Sequence, residues 1–352
     1  MLKPNRLTLW EKYLDLLTWL KQRDATINEC LEIKESSQGQ GYGLYVNKSI
    51  PKDELLFSIP RSLWVTMDKA TSSTEDGDDE FGDTLKALIE KAGPGGATVS
   101  LACYMAKEYI LLCLEEEEEN QSSRWGPYFK TLPWKRGINN QEHILFWPNE
   151  KIETLLKGSL CYEEARSLRK EVSFSIKVLG PLLKKSINVS RGQKTTKNVF
   201  EQITSILPWR KVQEDNGEND VVDDKIISDA IKGAFVNLLT RSFLDDDENE
   251  KLVPLLDLMQ HSNTPNVSLK VVKIKSSSTS EDTGVDTVVE VRANCDIDAG
   301  LEMFNQYRSE EEESMPYARF FTRFGFVPGI MEPMENLLID KSPIFWPKKV
   351  EV

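Results

Sequence analysis

The stretch L-V-P-L-L-D-L-M-Q-H-S-N-T-P at residues 252–265 decides how this sequence is interpreted. It begins as an apolar run and ends in hydrogen-bonding residues, namely Asp257, Gln260, His261, Ser262 and Asn263. A core segment needs no such ending, so these residues either turn the chain or face a ligand. Further along, a second apolar run ends in Asn305, Gln306 and Tyr307. The two segments form a candidate site if the fold brings them together.

Composition narrows the class of protein. The chain has 352 residues, 39% of them hydrophobic, which is enough for one large domain or two ordinary ones. The net charge of -13 argues against a nucleic-acid partner, because nucleic-acid binders carry a basic face. The acidity either favours basic protein partners or only keeps the protein soluble.

Cysteine and histidine usage points to an intracellular protein without a metal site. The five cysteines form no C-x-x-C pair, so we expect neither a disulfide framework nor a zinc site. His143 and His261 are the only histidines, which excludes a multi-histidine metal centre. The first residues lack the apolar region of a secretory signal. Residues 101–114 are too short and too charged to span a membrane. We expect the cytoplasm or nucleus, with a plastid left open.

Hydrophobic periodicity divides the chain into helical and β-rich parts. Helices are predicted at residues 7–23, 100–114, 150–156 (capped by Asn149), 163–183, 195–208 and 229–243. Strands are predicted at residues 31–35, 44–46, 55–59, 268–274, 287–293 and 301–304. The acidic stretches 72–83 and 212–224, and the hairpin tip 276–284, are predicted to be loops. His143 is interpreted as a surface or capping residue rather than a ligand.

The sequence G-Q-G-Y-G at residues 39–43 lies between the first two strands. Its glycines permit backbone conformations and close approaches that side chains forbid. It is either a flexible hairpin loop or a loop over which a ligand lies against bare backbone. It is not a dinucleotide fingerprint, because no third spaced glycine opens a helix.

Five segments, in this order, resemble the SET-domain protein methyltransferases. They are most similar to the subgroup of Rubisco large-subunit, ribosomal-protein lysine and actin-histidine methyltransferases. The segments are residues 41–63 (G-Y-G-L at their start), 125–133 (W-G-P-Y-F-K-T-L-P), 234–243 (ending T-R-S-F), 253–262 (D-L-M-Q-H-S) and 304–328 (F-N-Q-Y and F-G-F). Each motif is weak alone, and five in the correct order are specific.

The resemblance implies an α+β fold in which a β-rich SET core with a pseudoknot is interrupted by a mainly helical insert. The implied parts are an N-terminal helix (1–28), a first core part (29–100), the insert (101–243), a second core part (244–330) and a short tail (331–352). The implied cofactor is S-adenosyl-L-methionine. The implied activity is methylation of a lysine, in a basic segment of a non-histone protein, by a monomer. The alternatives are methylation of a protein histidine and a non-catalytic SET-fold module that binds basic partners.

The resemblance also assigns roles to individual residues. Tyr307 is the implied catalytic residue, and Asp257 and Phe324 lie at the substrate channel. The implied cofactor-binding residues are Gly41, Tyr42, Gly43, Leu44, Arg241, Gln260, His261 and Phe326. Arg241 suits a carboxylate because a guanidinium binds one with two parallel hydrogen bonds. Without the resemblance, Arg241 would be an ordinary helix-end arginine, and Tyr307 and His261 would be core residues.

Several features depart from the family pattern. Gln260 stands where asparagine is usual, Arg308 where glycine is usual, and Phe324 where a second tyrosine is common. Phe324 bears on the number of methyl groups added, because it lacks a hydroxyl. Relatives usually carry a helical substrate-binding domain after the core, and residues 329–352 are too few for one. Either the insert and acidic loops select the substrate, or the sequence is part of a longer chain.

Overall fold

The computed structural model describes residues 8–37, 41–72, 79–118, 124–135, 142–190, 222–244, 250–275, 285–307, 317–327 and 334–346. The helices within these ranges are α1 (Leu9–Lys21), α2 (Met67–Thr71), α3 (Asp79–Glu118), α4 (Gly126–Phe129), α5 (Asn149–Leu155), α6 (Tyr162–Ser190), α7 (Asp224–Arg241), α8 (Tyr317–Phe324) and α9 (Met334–Ile339). The strands are β1 (Thr26–Ile27), β2 (Leu31–Glu35), β3 (Tyr42–Val46), β4 (Leu55–Pro60), β5 (Phe243–Leu244), β6 (Glu250–Lys251), β7 (Gln260–His261), β8 (Val267–Lys275), β9 (Val285–Ala293) and β10 (Phe304–Asn305).

The strands form small sheets rather than one large one. An antiparallel sheet has the order β1-β4-β9-β8, and β2 pairs with β3 and β5 with β6, both antiparallel. Strand β10 runs parallel to β7, with Phe304 opposite Gln260 and Asn305 opposite His261. This parallel pair joins the two polar segments that the sequence singled out.

Backbone pairing also unites the two β-rich parts of the chain across the helical region. Strand β4 pairs with β9, and isolated bridges join Tyr45 to Glu302, Ile50 to Ile297 and Val65 to Leu252. Residues 42–65 and 250–305 therefore build one core although more than 180 residues separate them in sequence. The α+β class, with helices between two halves of a β-rich core, is confirmed.

Helix α1 closes one side of this core. Thr8 and Glu11 form a reciprocal capping box at its start, which satisfies backbone N–H groups that the helix leaves free. Its buried face carries Tyr13, Leu16, Trp19 and Leu20. Trp19 meets Trp125, which precedes α4, edge to face at 6.4 Å. The apolar spacing read from the sequence is thus the packing face of the helix.

The helical region packs around α3, which contacts α6 and α7. Non-helical backbone at Gly93 interrupts α3. By length and composition alone, its segment Gly95–Leu114 could cross a membrane, and 56% of the apolar window there is buried within the fold. A helix that packs in a protein core, as α3 does against α6 and α7, has the same apolar composition as a membrane-spanning helix. Helix α7 approaches the 125–135 connector closely, since a Cβ built at Gly233 would lie 2.4 Å from the Trp134 carbonyl oxygen.

Three local predictions are wrong. Helix α3 already begins at Asp79, so residues 72–83 are not one loop. Asn149 is the first residue of α5 rather than its cap, and its side-chain oxygen instead accepts a hydrogen bond from Arg169 at 2.7 Å. His143 is buried, not at the surface. The helix predicted at 195–208 and the hairpin tip at 276–284 lie outside the described residues.

Gly233 gives a test of this packing. We expect Gly233→Ala to lower the free energy of unfolding by about 1–3 kcal/mol, because the added methyl group overlaps the Trp134 backbone. Gly95→Ala is the matched control, since nothing lies within 4 Å of its added Cβ. Alanine there should be neutral or stabilising by about 0.5–1 kcal/mol. Urea unfolding measures both, and equal stability of the two variants would contradict the packing described.

Candidate active site

Tyr307 is fixed at both ends to the segment around β7. Its backbone N–H donates to His261 Nδ1 at 3.1 Å, and its hydroxyl donates to the Met259 carbonyl at 2.8 Å. Burial raises the pKa of Tyr307 above its ordinary value. The phenol therefore stays protonated, and its oxygen keeps lone pairs that can accept a hydrogen bond.

His261 is buried and holds this corner together with its side chain. Because Nδ1 accepts the Tyr307 N–H, the neutral ring carries its proton on Nε2, which lies 3.2 Å from Asn263 Oδ1. Its backbone meanwhile belongs to β7, opposite Asn305. The side chain thus orients Tyr307, a role that the sequence did not indicate.

Arg241, the last residue of α7, and Asp257 form a buried ion pair. Arg241 Nη1 donates to the Asp257 carbonyl at 2.9 Å and to Asp257 Oδ2 at 3.1 Å. The two side chains are 11% and 3% exposed. Burial raises the pKa of Asp257 above its ordinary value, and the adjacent guanidinium offsets this only in part. Arg241 Nε is buried and has no hydrogen-bond partner within the described residues.

Two tyrosines that sequence reasoning did not assign to the site border this pair. Burial raises the pKa of Tyr13, on α1, to about 12, and Arg241 and Asp257 are close enough to perturb it. The Tyr13 ring lies 5.1 Å from that of Tyr42. Burial likewise raises the pKa of Tyr128, on α4, where Asp257 is the next largest influence. Tyr128 lies in the quoted W-G-P-Y motif, so the motif was a signal for it.

Residues 41–44, which comprise the bend at Gly41 and the start of β3, are called the glycine turn below, and they contact β7 through Tyr42. Gln260 Nε2 donates to the Tyr42 carbonyl at 2.9 Å, which joins β3 to β7. Gln260 Oε1 is buried without a hydrogen-bond partner among the residues described. Gly41 has φ of 91°, a conformation that glycine adopts without strain. Gly43 and Leu44 are buried in β3. The Tyr42 backbone therefore lies beside Gln260.

A buried carboxylate that sequence reasoning missed, Glu302, lies over this turn. Its Oε2 accepts hydrogen bonds from the Ser37 N–H (2.9 Å), the Ser37 hydroxyl (2.5 Å) and the Tyr45 hydroxyl (2.9 Å). A Cβ built at Gly43 would lie 2.1 Å from Glu302 Oε1. A side chain at position 43 would therefore displace the carboxylate that packs there.

An aromatic cluster covers the other side of Tyr307. Phe320, Phe324 and Phe326 are buried together, and Tyr307 packs against them. The Phe324 ring lies 5.5 Å from that of Tyr307 and 4.6 Å from that of Phe320. Phe324 and Phe326 therefore belong to the neighbourhood of Tyr307. Arg308 lies outside the described residues.

The geometry unites the segments that the sequence singled out, and comparison with known proteins identifies their family. The family model described as "SET domain" matches residues 41–308, most of the chain. The chain belongs to the SET-domain family. The match begins at the glycine turn and ends one residue after Tyr307, so it spans both halves of the site.

Curated relatives of this SET-domain protein are N-methyltransferases by name, and two of the following three are named lysine methyltransferases. The N-lysine methyltransferase SETD6 of Mus musculus is 27% identical over 143 residues, 41% of this chain and 26% of that protein. A chloroplastic Rubisco large-subunit N-methyltransferase of Pisum sativum is 23% identical over 100% of this chain and 58% of its own length. Ribosomal lysine N-methyltransferase 4 of Saccharomyces cerevisiae is 28% identical over 177 residues, 47% of this chain and 31% of that protein. The chain thus spans roughly a quarter to just over half of each relative.

Solved structures share the fold. The SET domain of LSMT bound to lysine and AdoHcy matches with a TM-score of 0.60 at 17% identity, covering 91% of this chain and 58% of that one. Rubisco LSMT bound to sinefungin and monomethyllysine gives a TM-score of 0.57 at 16% identity, and the match covers 90% of this chain and 56% of that one. The SET-type architecture implied by the sequence motifs is confirmed.

His143 supports the aromatic cluster from the helical region, and this contact predicts a pH dependence. It lies 3.3 Å, through Nε2, from the Arg323 carbonyl of α8, and its Nδ1 accepts the Leu145 N–H. Burial lowers the pKa of His143 to about 4. Between pH 6.5 and about 4 the unfolded chain binds a proton at this histidine and the folded chain does not. Stability is therefore lost as the pH falls through this window.

We expect His143→Gln to remove this pH dependence. The wild type should lose about 2 kcal/mol more unfolding free energy than the variant between pH 7 and pH 5. Urea unfolding of both proteins at the two pH values measures this difference. The contributions of all other titrating groups are the same in both proteins and cancel in the comparison. Parallel pH profiles would show that His143 is not held neutral in the folded protein.

Proposed function

We propose that the protein is an S-adenosyl-L-methionine-dependent protein-lysine N-methyltransferase that acts on a non-histone protein. The observation that carries this proposal is the placement of Tyr307, whose hydroxyl is anchored to Met259 beside the glycine turn and Arg241. The names of the mouse and yeast relatives support a lysine as the acceptor. Because the chain spans only part of those relatives, substrate and partners belong to the proposal.

The residues present fit the cofactor. Arg241 has a buried Nε–H without a partner in the described part of the chain, which can donate to the cofactor's carboxylate. Gln260 Oε1 is a buried acceptor that has no hydrogen-bond donor among the described residues, so it can accept a hydrogen bond from the cofactor. The backbone of Gly41, Tyr42, Gly43 and Leu44, with His261 and Phe326, would complete the binding site. S-adenosylmethionine, when bound, supplies a methyl group activated by a positively charged sulfur.

The Tyr307 hydroxyl is suited to orient the incoming amine. Its proton is committed to the Met259 carbonyl, so its oxygen acts as an acceptor towards the amine. Its raised pKa keeps it from acting as a base at neutral pH. Positioning of this kind supplies much of the catalysis of an in-line displacement.

The surroundings of Tyr307 favour an uncharged lysine. A free lysine has a pKa near 10.4 and is charged at neutral pH. Phe320, Phe324 and Phe326 provide an apolar environment, which disfavours the charged form and releases the nitrogen lone pair for attack. Asp257 is neutralised by Arg241 through Oδ2, so we assign it to orienting the site rather than to pairing with the substrate.

The proposed partner is a basic segment of another protein, bound by a monomeric enzyme. The net charge of -13 is complementary to such a segment and accelerates its encounter with the enzyme. Membrane or nucleic-acid partners are not part of the proposal.

Tyr307→Phe tests the proposed role of the hydroxyl. With methyl-labelled S-adenosylmethionine and a cell lysate, we expect a discrete labelled band from the wild type and about 100-fold slower labelling by the variant. The variant should remain folded, with a loss of about 1–2 kcal/mol because the Met259 carbonyl loses its donor. Tyr317→Phe, at an exposed position of α8, is the matched control.

The outcomes separate the candidate functions. Full activity of Tyr307→Phe would contradict the assigned role. Cofactor binding by the wild type without any labelled product would favour the non-catalytic module. Mass spectrometry of the labelled protein identifies the acceptor, and a methylated histidine would replace the lysine proposal.

A further inference from the structure

The site holds a second buried carboxylate in addition to Asp257, and no arginine among the described residues forms an ion pair with it. Glu302 is 4% exposed. Its three side-chain hydrogen bonds with described residues all reach Oε2, and they come from the neutral donors Ser37 and Tyr45. Its Oε1 is buried and has no hydrogen-bond partner within the described residues. A buried polar atom without a partner is costly, so its retention calls for an explanation.

Glu302 lies where it can act on both halves of the site. Oε1 faces Gly43 so closely that a side chain at position 43 would displace it. Tyr45 and Glu302 are also bridged through their backbones, and the Glu302 carbonyl accepts a hydrogen bond from Asn266 at 2.8 Å. Burial raises the pKa of Tyr307 first, and the charge of Glu302 adds to that rise, so the carboxylate lies within electrostatic reach of the Tyr307 hydroxyl.

The charges of these residues do not balance. Arg241 and Asp257 cancel as an ion pair, which leaves Glu302, within the part of the chain that the structure describes, as a negative charge without an ion-pair partner beside the glycine turn. Lys34, above the Tyr45 ring, is half exposed and pairs with Glu32, so solvent screens it. A buried negative charge favours a ligand that brings a positive one, because the low dielectric strengthens their attraction.

We propose that Glu302 makes the site selective for the cationic methyl donor over its neutral demethylated product. This inference rests on the proposed function. S-adenosylmethionine carries a positive sulfonium, whereas S-adenosylhomocysteine, the product after the methyl group leaves, carries an uncharged thioether. The two ligands are otherwise alike. Loss of the charge removes the attraction to Glu302, so the same carboxylate that favours donor binding also favours product release.

Isothermal titration of three ligands tests this proposal on the intact chain. The ligands are S-adenosylmethionine, S-adenosylhomocysteine and sinefungin, in which an amine carries the positive charge near the position of the sulfonium. We expect Glu302→Gln to weaken binding of both cationic ligands about tenfold more than binding of S-adenosylhomocysteine. Glu54→Gln, at an exposed position, changes the net charge equally and should leave all three affinities unchanged.

Replacing Glu302 by aspartate, a shorter carboxylate, separates the effect of its charge on ligand binding from the effect of its shape. Glu302→Asp should weaken all three ligands, because it withdraws from Ser37 and Tyr45, yet keep the wild-type ratio of cationic to neutral affinity. Equal loss of all three ligands in Glu302→Gln, or no loss of any, would overturn the inference and leave the proposed function standing. Failure of the wild type to bind any of them would overturn both. Circular dichroism confirms that each variant is folded.

Discussion

The parallel pairing of β7 with β10 is the constraint on which the site depends. Each strand has only two residues, and together they bring Gln260 and His261 beside Phe304 and Asn305. The pairing places the Tyr307 N–H on His261 and the Tyr307 hydroxyl on the Met259 carbonyl. The role proposed for Tyr307 follows from this position. Its hydroxyl donates its one proton to the Met259 carbonyl, so it can only accept a hydrogen bond from a substrate.

Buried charges set the second constraint. Withdrawing Arg241 and Asp257 from water costs several kcal/mol per ion, and their mutual attraction returns only part of that cost. The site also contains Glu302, a further buried carboxylate. Its hydrogen bonds with Ser37 and Tyr45 stabilise the glycine turn. Arrangements of this kind contribute little to stability and are characteristic of functional sites. In this interpretation, the absence of a side chain at Gly43 leaves room for the Glu302 carboxylate as well as for a ligand.

Much of the fold could be predicted from the sequence, because local patterns carry it. Alternating residues predicted β8 and β9, and helical spacing predicted α1, α6 and α7. The sequence singled out the polar ends of the 252–265 stretch and of the segment before Tyr307, and the pairing of β7 with β10 brings the two together. The roles assigned to Arg241, Gln260 and Tyr307 came from ordered motifs, and the structure places those residues as neighbours.

The remainder depends on contacts between residues distant in sequence. Glu302 meets Ser37 across 265 positions, and nothing local distinguishes it from a surface glutamate. His143 is buried by α8, which lies 180 positions further along the chain. Asn149 looked like a helix cap, but Arg169 takes its side-chain oxygen and α5 starts one residue earlier. Such contacts are products of the fold, and only the assembled chain reveals them.

The most direct test of the central claim is the equilibrium binding of S-adenosylmethionine to the purified wild type and to Arg241→Lys. Lysine keeps the charge but lacks the planar fork that binds a carboxylate with two parallel hydrogen bonds. The account predicts a defined one-to-one affinity for the wild type and at least about tenfold weaker binding by the variant. Equal binding by both proteins, or none by the wild type, would contradict the placement of the cofactor between α7, the glycine turn and β7.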